Sequence, residues 1–233
     1  MLGAALFDFD GTLVDTTDLI YQSMRHAAGE ILGREVSREI LMANVGQPLP
    51  RQMELLSAEH AEALLDSYRL HNEENHDALI KEFPGVEEAL GRLRAASVGV
   101  AVVTSKRRFS VEMALESFPG LGRVVDQWVT MEDTEEHKPR PEPLLKGLEL
   151  LGNIPREEAA YVGDSPFDVA AARAAGVTSV AVSWGAFTED ALRDAGPDHL
   201  VPDIDTSVEV LLGLRSLVTG ALRKGRAVPD ARF

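Results

Sequence analysis

The sequence lacks cysteine altogether, which excludes disulfides, thiolate nucleophiles and cysteine-ligated metal sites. Long apolar runs are also missing: the longest stretch without a charged side chain, residues 174–188, is shorter than a membrane-spanning helix requires. No basic region precedes Asp8, as a signal peptide would need. From these absences we expect a cytoplasmic protein that does not interact with a membrane.

Positive charge is scarce as well. The 38 acidic side chains outnumber the 23 basic ones, and the formal net charge is -15. Such a surface repels a phosphate backbone, so we expect no nucleic-acid partner. An anionic small molecule would require local cations that overcome this field. The length of 233 residues suits one large domain, or a core domain with an insertion.

The order of predicted elements indicates an inserted helical unit. One apolar strand, residues 4–9, precedes a region of helical periodicity with no convincing strand. Strands then alternate with helices, which is typical of a Rossmann-like α/β fold with a parallel sheet. The first strand must pair with the later ones, because a single strand cannot bury itself. We therefore expect a core domain (1–14 and 82–233) and a helical cap (15–81) that covers the ligand site. The later strands are predicted at 98–104, 124–130, 159–162 and 179–182.

Two carboxylates stand at the end of the first predicted strand. Residues i and i+2 of an extended segment point the same way, so Asp8 and Asp10 face one space. Gly11 allows a sharp turn directly after them. Paired carboxylates at a strand end suit a hard cation, Mg²⁺ above all. The alternative is an ordinary turn with solvated acids.

Three later strands also end in polar residues. Asp164 follows the strand at 159–162, with Asp168 in the first turn of the next helix, and the strand at 98–104 ends at Thr104, with Ser105 directly after it. Lys138 stands after the loop that follows the strand at 124–130. Taken singly, such residues are more commonly helix caps and a surface lysine. As a set at one sheet edge, these carboxylates, hydroxyls and ammonium could bind a metal ion and a phosphate and supply a nucleophile.

This ordered set resembles the four motifs of the haloacid dehalogenase-like hydrolases. The first motif is matched by residues 8–15, the second by Thr104, the third by Lys138 and the fourth by residues 163–168. The helical insertion resembles the cap of the branch with phosphoglycolate phosphatases and β-phosphoglucomutases. Short segments of cap and core, among them residues 67–69 and 75–77, are similar to those of small phosphoglycolate-phosphatase-like pyrophosphatases.

The resemblance implies a role for each matching residue. Asp8 would be the nucleophile that forms an aspartyl-phosphate, and Asp10 the acid and base. Mg²⁺ would be held by Asp8, Asp164 and the backbone carbonyl of Asp10, with Asp168 orienting its water shell. Thr104, Lys138 and the amide of Ser105 would bind the phosphoryl oxygens. Asp10 argues against the dehalogenases of the superfamily, which lack this second acid.

The expected function is a Mg²⁺-dependent phosphatase for a small anionic substrate, phosphoglycolate or pyrophosphate first, in a monomer or homodimer. In the cap, Gln47 and Arg51 would face the site and read the leaving group, although a loop and a solvated helix end explain them equally well. Two other functions stay open. One is a β-phosphoglucomutase-like mutase, whose aspartyl-phosphate waits for a sugar hydroxyl, and the other is a non-catalytic binding protein.

Overall fold

A computed structural model describes residues 2–224 of the chain, with side chains through residue 214. Residues 225–233, which the sequence assigns to the core, lie outside the described residues. The strands are β1 (Ala4–Phe7), β2 (Val14–Asp15), β3 (Lys81–Glu82), β4 (Gly99–Val103), β5 (Gln127–Val129), β6 (Ala159–Gly163), β7 (Thr178–Val182) and β8 (His199–Val201).

Eleven α-helices are assigned within the described residues. The first four form the helical block: α1 (Thr17–Leu32), α2 (Arg38–Met42), α3 (Leu49–Leu56) and α4 (Ala61–Leu79). The others accompany the sheet: α5 (Val86–Ala95), α6 (Arg108–Ser117), α7 (Leu121–Val124), α8 (Glu142–Leu150), α9 (Pro166–Ala175), α10 (Glu189–Ala195) and α11 (Ile204–Lys224). No helix in the described part of the chain combines the length and the apolar character needed to cross a membrane.

The main sheet has six parallel strands in the order β5-β4-β1-β6-β7-β8. Strand β1 is central: Ala4 pairs with Gly99 of β4 on one side and with Ala159 of β6 on the other. The predicted α/β class with a parallel sheet is thereby confirmed. The sequence prediction missed β8 at the edge of the sheet, and it placed a strand over residues 124–130 where α7 precedes the shorter β5.

Both faces of the sheet are covered, which explains why its strands are apolar throughout. Ala5 and Phe7 pack on one face with α5 and α11, whereas Ala4 and Leu6 pack on the other with α8 and α9. All four of these β1 side chains are fully buried. Burying a large apolar side chain contributes about 1.5–3 kcal/mol, so this central strand is firmly held and its carboxyl end is well positioned.

The helical block has an apolar cluster of its own. Met24 from α1, Met53 from α3 and Leu64 from α4 are buried together there. Strands β2 and β3 form a two-stranded antiparallel ribbon in which Val14 pairs with Glu82. The sequence prediction had no strand between residues 15 and 81; the ribbon is two residues long on each side, too short to leave a periodic pattern. The chain therefore enters and leaves the helical block through adjacent segments.

Candidate active site

The carboxyl ends of three neighbouring strands bring the predicted site residues together. Asp8 follows β1, Thr104 follows β4 and Asp164 follows β6, and all three side chains are buried. The backbone N–H of Asp8 donates to the Val162 carbonyl at 2.8 Å, and that of Thr104 donates to the Val129 carbonyl at 2.9 Å. The parallel ladder thus continues to the first residue of the site and fixes the backbone of its nucleophile candidate.

Three buried carboxylates form a compact acidic cluster. Each of Asp8, Asp164 and Asp168 offers an oxygen within 4.8 Å of the others. Burial raises the pKa of Asp164 well above its ordinary value of 3.8, and the charges of Asp168 and Asp8 raise it further. Burial likewise raises the pKa of Asp8 to about 7, against the opposing effect of the Lys138 ammonium. A cation bound between these oxygens would favour their charged forms and so oppose both upward shifts in pKa.

Lys138 is the buried counter-charge of this cluster. Its Nζ lies 3.0 Å from Asp8 Oδ1 and donates to Asp168 Oδ1 at 2.7 Å and to Tyr161 Oη at 2.8 Å. Burial lowers the pKa of Lys138, but the carboxylates of Asp168 and Asp8 raise it more, so the net shift is upward. The ammonium is therefore charged throughout the physiological pH range. Lys138, which was predicted to bind phosphoryl oxygens, does not line the cavity at the sheet end; its ammonium contacts Asp8, Asp168 and Tyr161 instead.

Besides Lys138, Asp168 has a structural partner in the helix-capping residue Ser165. Asp168 is the N3 residue of a capping box at the start of α9: Ser165 Oγ accepts from the Asp168 N–H, and Asp168 Oδ2 accepts from the Ser165 N–H at 3.0 Å. Asp168 can therefore cap helix α9 and belong to the acidic cluster at the same time. The cap fixes the orientation of the carboxylate, and Oδ1 then meets Lys138.

The carboxylate of Asp164 sits in a backbone cradle that is built for close approach. Its Oδ2 accepts a hydrogen bond from the Ala186 N–H at 2.7 Å. A Cβ added to Gly11 or to Gly185 would collide with this carboxylate, and Gly11 also has a φ of 73°. Only glycine fits at residue 11 without strain. The arrangement fixes Oδ2 and leaves Oδ1 of Asp164 available as a metal ligand, which fits a divalent cation.

Asp10 has a partner that sequence reasoning missed. Its Oδ1 accepts from Lys106 Nζ at 2.8 Å, and the two side chains are 20% and 10% exposed. The backbone N–H of Lys106 donates to Thr104 Oγ1 at 3.2 Å, which fixes the turn that presents the lysine. One signal in the sequence could have indicated this residue: Lys106 stands two positions after Thr104, at the end of the same strand.

A cavity lies between the end of the sheet and the helical block; we call it the site cavity. The sheet side contributes Asp8, Asp10, Thr104, Ser105, Lys106 and Asp164 to its lining, and the helical block contributes Gly46, Gln47, Tyr68, Arg69 and Asn72 among others. Ser105 Oγ donates to the Gly46 carbonyl at 2.8 Å, which ties the two sides together. The acidic cluster therefore opens, through Asp8 and Asp164, into a partly enclosed space that a small molecule could occupy.

Comparison with known proteins agrees with this geometry. Residues 5–182 match the model of the family described as "Haloacid dehalogenase-like hydrolase". The chain belongs to this family. It is therefore a hydrolase.

Relatives of this haloacid dehalogenase-like hydrolase align over most of their length. "Putative pyrophosphatase PpaX" of Caldanaerobacter subterraneus subsp. tengcongensis is 42% identical over 210 residues, covering 90% of this chain and 94% of the relative. "Pyrophosphatase PpaX" of Bacillus mycoides is 34% identical, covering 90% and 97%. The crystal structure of "a predicted phosphatase" from Clostridium acetobutylicum superposes with a TM-score of 0.81 at 26% identity, covering 91% and 99%.

The two cap residues expected to read the leaving group have different positions in this hydrolase. Gln47 lines the site cavity, and its Nε2 donates to Asn44 Oδ1 at 3.0 Å. Arg51 is not among the lining residues: its side chain is 56% exposed and pairs with Glu54 at 2.9 Å. The structure thus brings Gln47 to the site and leaves Arg51 at the solvated helix surface. Tyr68, Arg69, Asn72 and Lys106 line the cavity but were not predicted to do so.

Proposed function

We propose that this hydrolase is a Mg²⁺-dependent phosphatase that acts on a small phosphorylated substrate through an aspartyl-phosphate. The observation that carries the proposal is the acidic cluster at the sheet end, with Asp8 facing both Lys138 and the site cavity. Nucleophile, counter-charge and substrate space adjoin there, as covalent phosphoryl transfer requires.

The charge balance of the cluster supports a divalent cation. Three buried carboxylates stand against the single buried ammonium of Lys138, so two negative charges remain when all are ionised. Asp8, Asp164 and the backbone carbonyl of Asp10 would hold Mg²⁺, and Asp168 would orient its water shell. Bound there, the ion would offset the repulsion between the phosphate and the Asp8 carboxylate.

The side chains divide the reaction between them. A carboxylate oxygen of Asp8 forms a bond to phosphorus while the bond from phosphorus to the leaving oxygen breaks, and Asp10 gives its proton to that oxygen. In the second step Asp10 takes a proton from water, whose oxygen attacks phosphorus and displaces Asp8. Thr104 and Ser105, which line the site cavity, bind phosphoryl oxygens, and the ammonium of Lys138 beside Asp8 stabilises the charge that develops there.

The helical block is proposed to act as a cap over this chemistry. We assign residues 15–81 to the cap and residues 1–14 and 82–233 to the core. The ribbon of β2 and β3 marks both crossings between them, and the hydrogen bond from Ser105 to Gly46 joins the two sides beside the cavity. Closure would exclude water from the aspartyl-phosphate, and opening would release the product.

The substrate is proposed to be a small anionic phosphorylated compound, with pyrophosphate and phosphoglycolate as first candidates. Two curated relatives carry the name pyrophosphatase, which supports the first candidate. The cavity lining includes the basic side chains Arg69, Lys106 and Arg107, which reduce the repulsion of an anionic ligand by a chain of net charge -15.

Hydrolysis of p-nitrophenyl phosphate, with and without Mg²⁺, tests the proposal. We expect turnover with Mg²⁺, loss of turnover with EDTA, and no turnover in Asp8→Asn under either condition. Phosphate release without an acceptor sugar separates a phosphatase from a mutase. Wild-type protein that binds phosphate but releases none from p-nitrophenyl phosphate or pyrophosphate would contradict the proposal and favour a binding protein.

A further inference from the structure

Arg69 is a cation on the wall of the site cavity without a partner in the described part of the chain. It lies on α4, in the helical block, and lines the cavity opposite the strand ends that carry Asp8 and Thr104. Its Nε is buried and has no hydrogen-bond acceptor. A buried guanidinium donor without an acceptor is unfavourable, because it has lost its bound water without gaining a partner.

The other two basic side chains of the cavity lining are neutralised. Lys106 Nζ pairs with Asp10 at 2.8 Å, and Arg107 Nη2 pairs with Glu73 at 2.8 Å. Arg69 alone among the three has no carboxylate within the described residues to match its charge. In a chain with 38 acidic side chains, an arginine free of such a partner at an enclosed site points to an anion supplied from outside.

We propose that Arg69 binds a second anionic group of the substrate, on the leaving-group side of the bond that is broken. The inference rests on the proposed function, since it takes the transferred phosphoryl group to lie against Asp8. A guanidinium presents donors in a planar fork that matches a phosphate or a carboxylate in two parallel hydrogen bonds. The preferred substrates are therefore phosphoryl compounds whose leaving group is itself a phosphate or a carboxylate, rather than esters of neutral alcohols.

Kinetics on three substrates test the assignment: pyrophosphate, 2-phosphoglycolate and p-nitrophenyl phosphate. For Arg69→Gln we expect the kcat/KM of at least one anionic-leaving-group substrate, divided by that of p-nitrophenyl phosphate, to fall at least about tenfold. Arg69→Lys recovers part of this ratio. Whichever of the two substrates is affected identifies the group that Arg69 binds. Arg25→Gln is the matched control, since Arg25 is an exposed arginine of α1 outside the site cavity.

Inhibition of the wild-type protein provides a test that does not depend on the folding of a variant. Methylenediphosphonate and phosphonoacetate carry a second anionic group, and methylphosphonate does not. We expect at least one of the first two to inhibit p-nitrophenyl phosphate hydrolysis at least about tenfold more strongly than methylphosphonate.

Two results would overturn the role of Arg69. One is an unchanged selectivity ratio in Arg69→Gln; the other is equal inhibition by all three phosphonates. If the ratio is unchanged because kcat/KM falls equally on every substrate, Arg69 has a structural role instead. Failure of the proposed function is distinguishable from these outcomes, because the wild-type protein would then release no phosphate from any of the three substrates.

Discussion

Replacing Lys138 with methionine removes the buried counter-charge and retains the approximate volume of the side chain. Two carboxylates, Asp8 at 3.0 Å and Asp168 at 2.7 Å, lose their cation while their side chains are only 4% and 2% exposed. Breaking a buried ion pair by removing one partner costs about 3–5 kcal/mol. We therefore expect Lys138→Met to lower the free energy of unfolding of the metal-free protein by about that amount at about pH 8.

The penalty should depend on pH in a defined direction. Burial raises the pKa of Asp8 to about 7 in the folded state, above its ordinary 3.8, so the folded state binds more protons between these values. Protonation of Asp8 on acidification therefore favours the folded state. Lys138 has a raised pKa and stays charged over this range. The penalty of Lys138→Met should accordingly be smaller at about pH 5, where the carboxyl group of Asp8 is neutralised by a proton.

Urea unfolding followed by circular dichroism measures this effect at both pH values, with and without Mg²⁺. Added Mg²⁺ should reduce the penalty at the higher pH, because it supplies the missing positive charge. Lys146→Met is the matched control: its Nζ pairs with Glu149 at the surface of α8, and we expect a change within about 0.5 kcal/mol. A penalty below about 1 kcal/mol, unaffected by pH and Mg²⁺, would refute the assignment of Lys138 as the counter-charge.

Three further substitutions have defined outcomes. Asp10→Asn should lower kcat on p-nitrophenyl phosphate about 10²–10⁴-fold while Mg²⁺ binding in calorimetry stays near wild type; near-normal turnover would remove Asp10 as the acid and base. Gly11→Ala should lower the free energy of unfolding by about 1–3 kcal/mol and weaken Mg²⁺ binding, because its Cβ collides with Asp164 at a positive φ; unchanged Mg²⁺ affinity would contradict the cradle. Glu73→Gln should weaken the ion pair that joins α4 to Arg107 on the sheet side. The rate of phosphate release in stopped-flow measurements should then differ from that of the wild-type protein. Identical rates would show that this ion pair does not hold the cap.

The sheet could be predicted because its strands are apolar on both faces. That pattern arises when helices cover both sides, as they do around Phe7 and Leu6. Strand β8 escaped prediction because it lies at the sheet edge, where His199 and Leu200 are only partly buried and leave no apolar run. The short ribbon escaped because two paired residues show no periodicity.

Three of the predicted core residues share a recognisable signal, since each directly follows a strand of the central part of the sheet. Asp8, Thr104 and Asp164 stand at such ends, and parallel pairing alone brings them together. The cap residues carry no comparable signal. Whether an arginine on a helix faces the cavity depends on how that helix packs against the sheet, which the sequence does not show. The sequence analysis therefore predicted Arg51, which is exposed, and not Arg69, which lines the cavity.

The pairing of Val14 with Glu82 has a consequence for how such molecules diversify. An inserted unit whose two ends are neighbours adds little closure entropy to its host, whatever its length. Residues 16–80 can thus be lengthened, shortened or exchanged over generations without shifting the register of the six parallel strands. Mutations in the helical block can therefore alter the proposed selectivity while the residues at the sheet end, which are proposed to cleave the bond, are preserved.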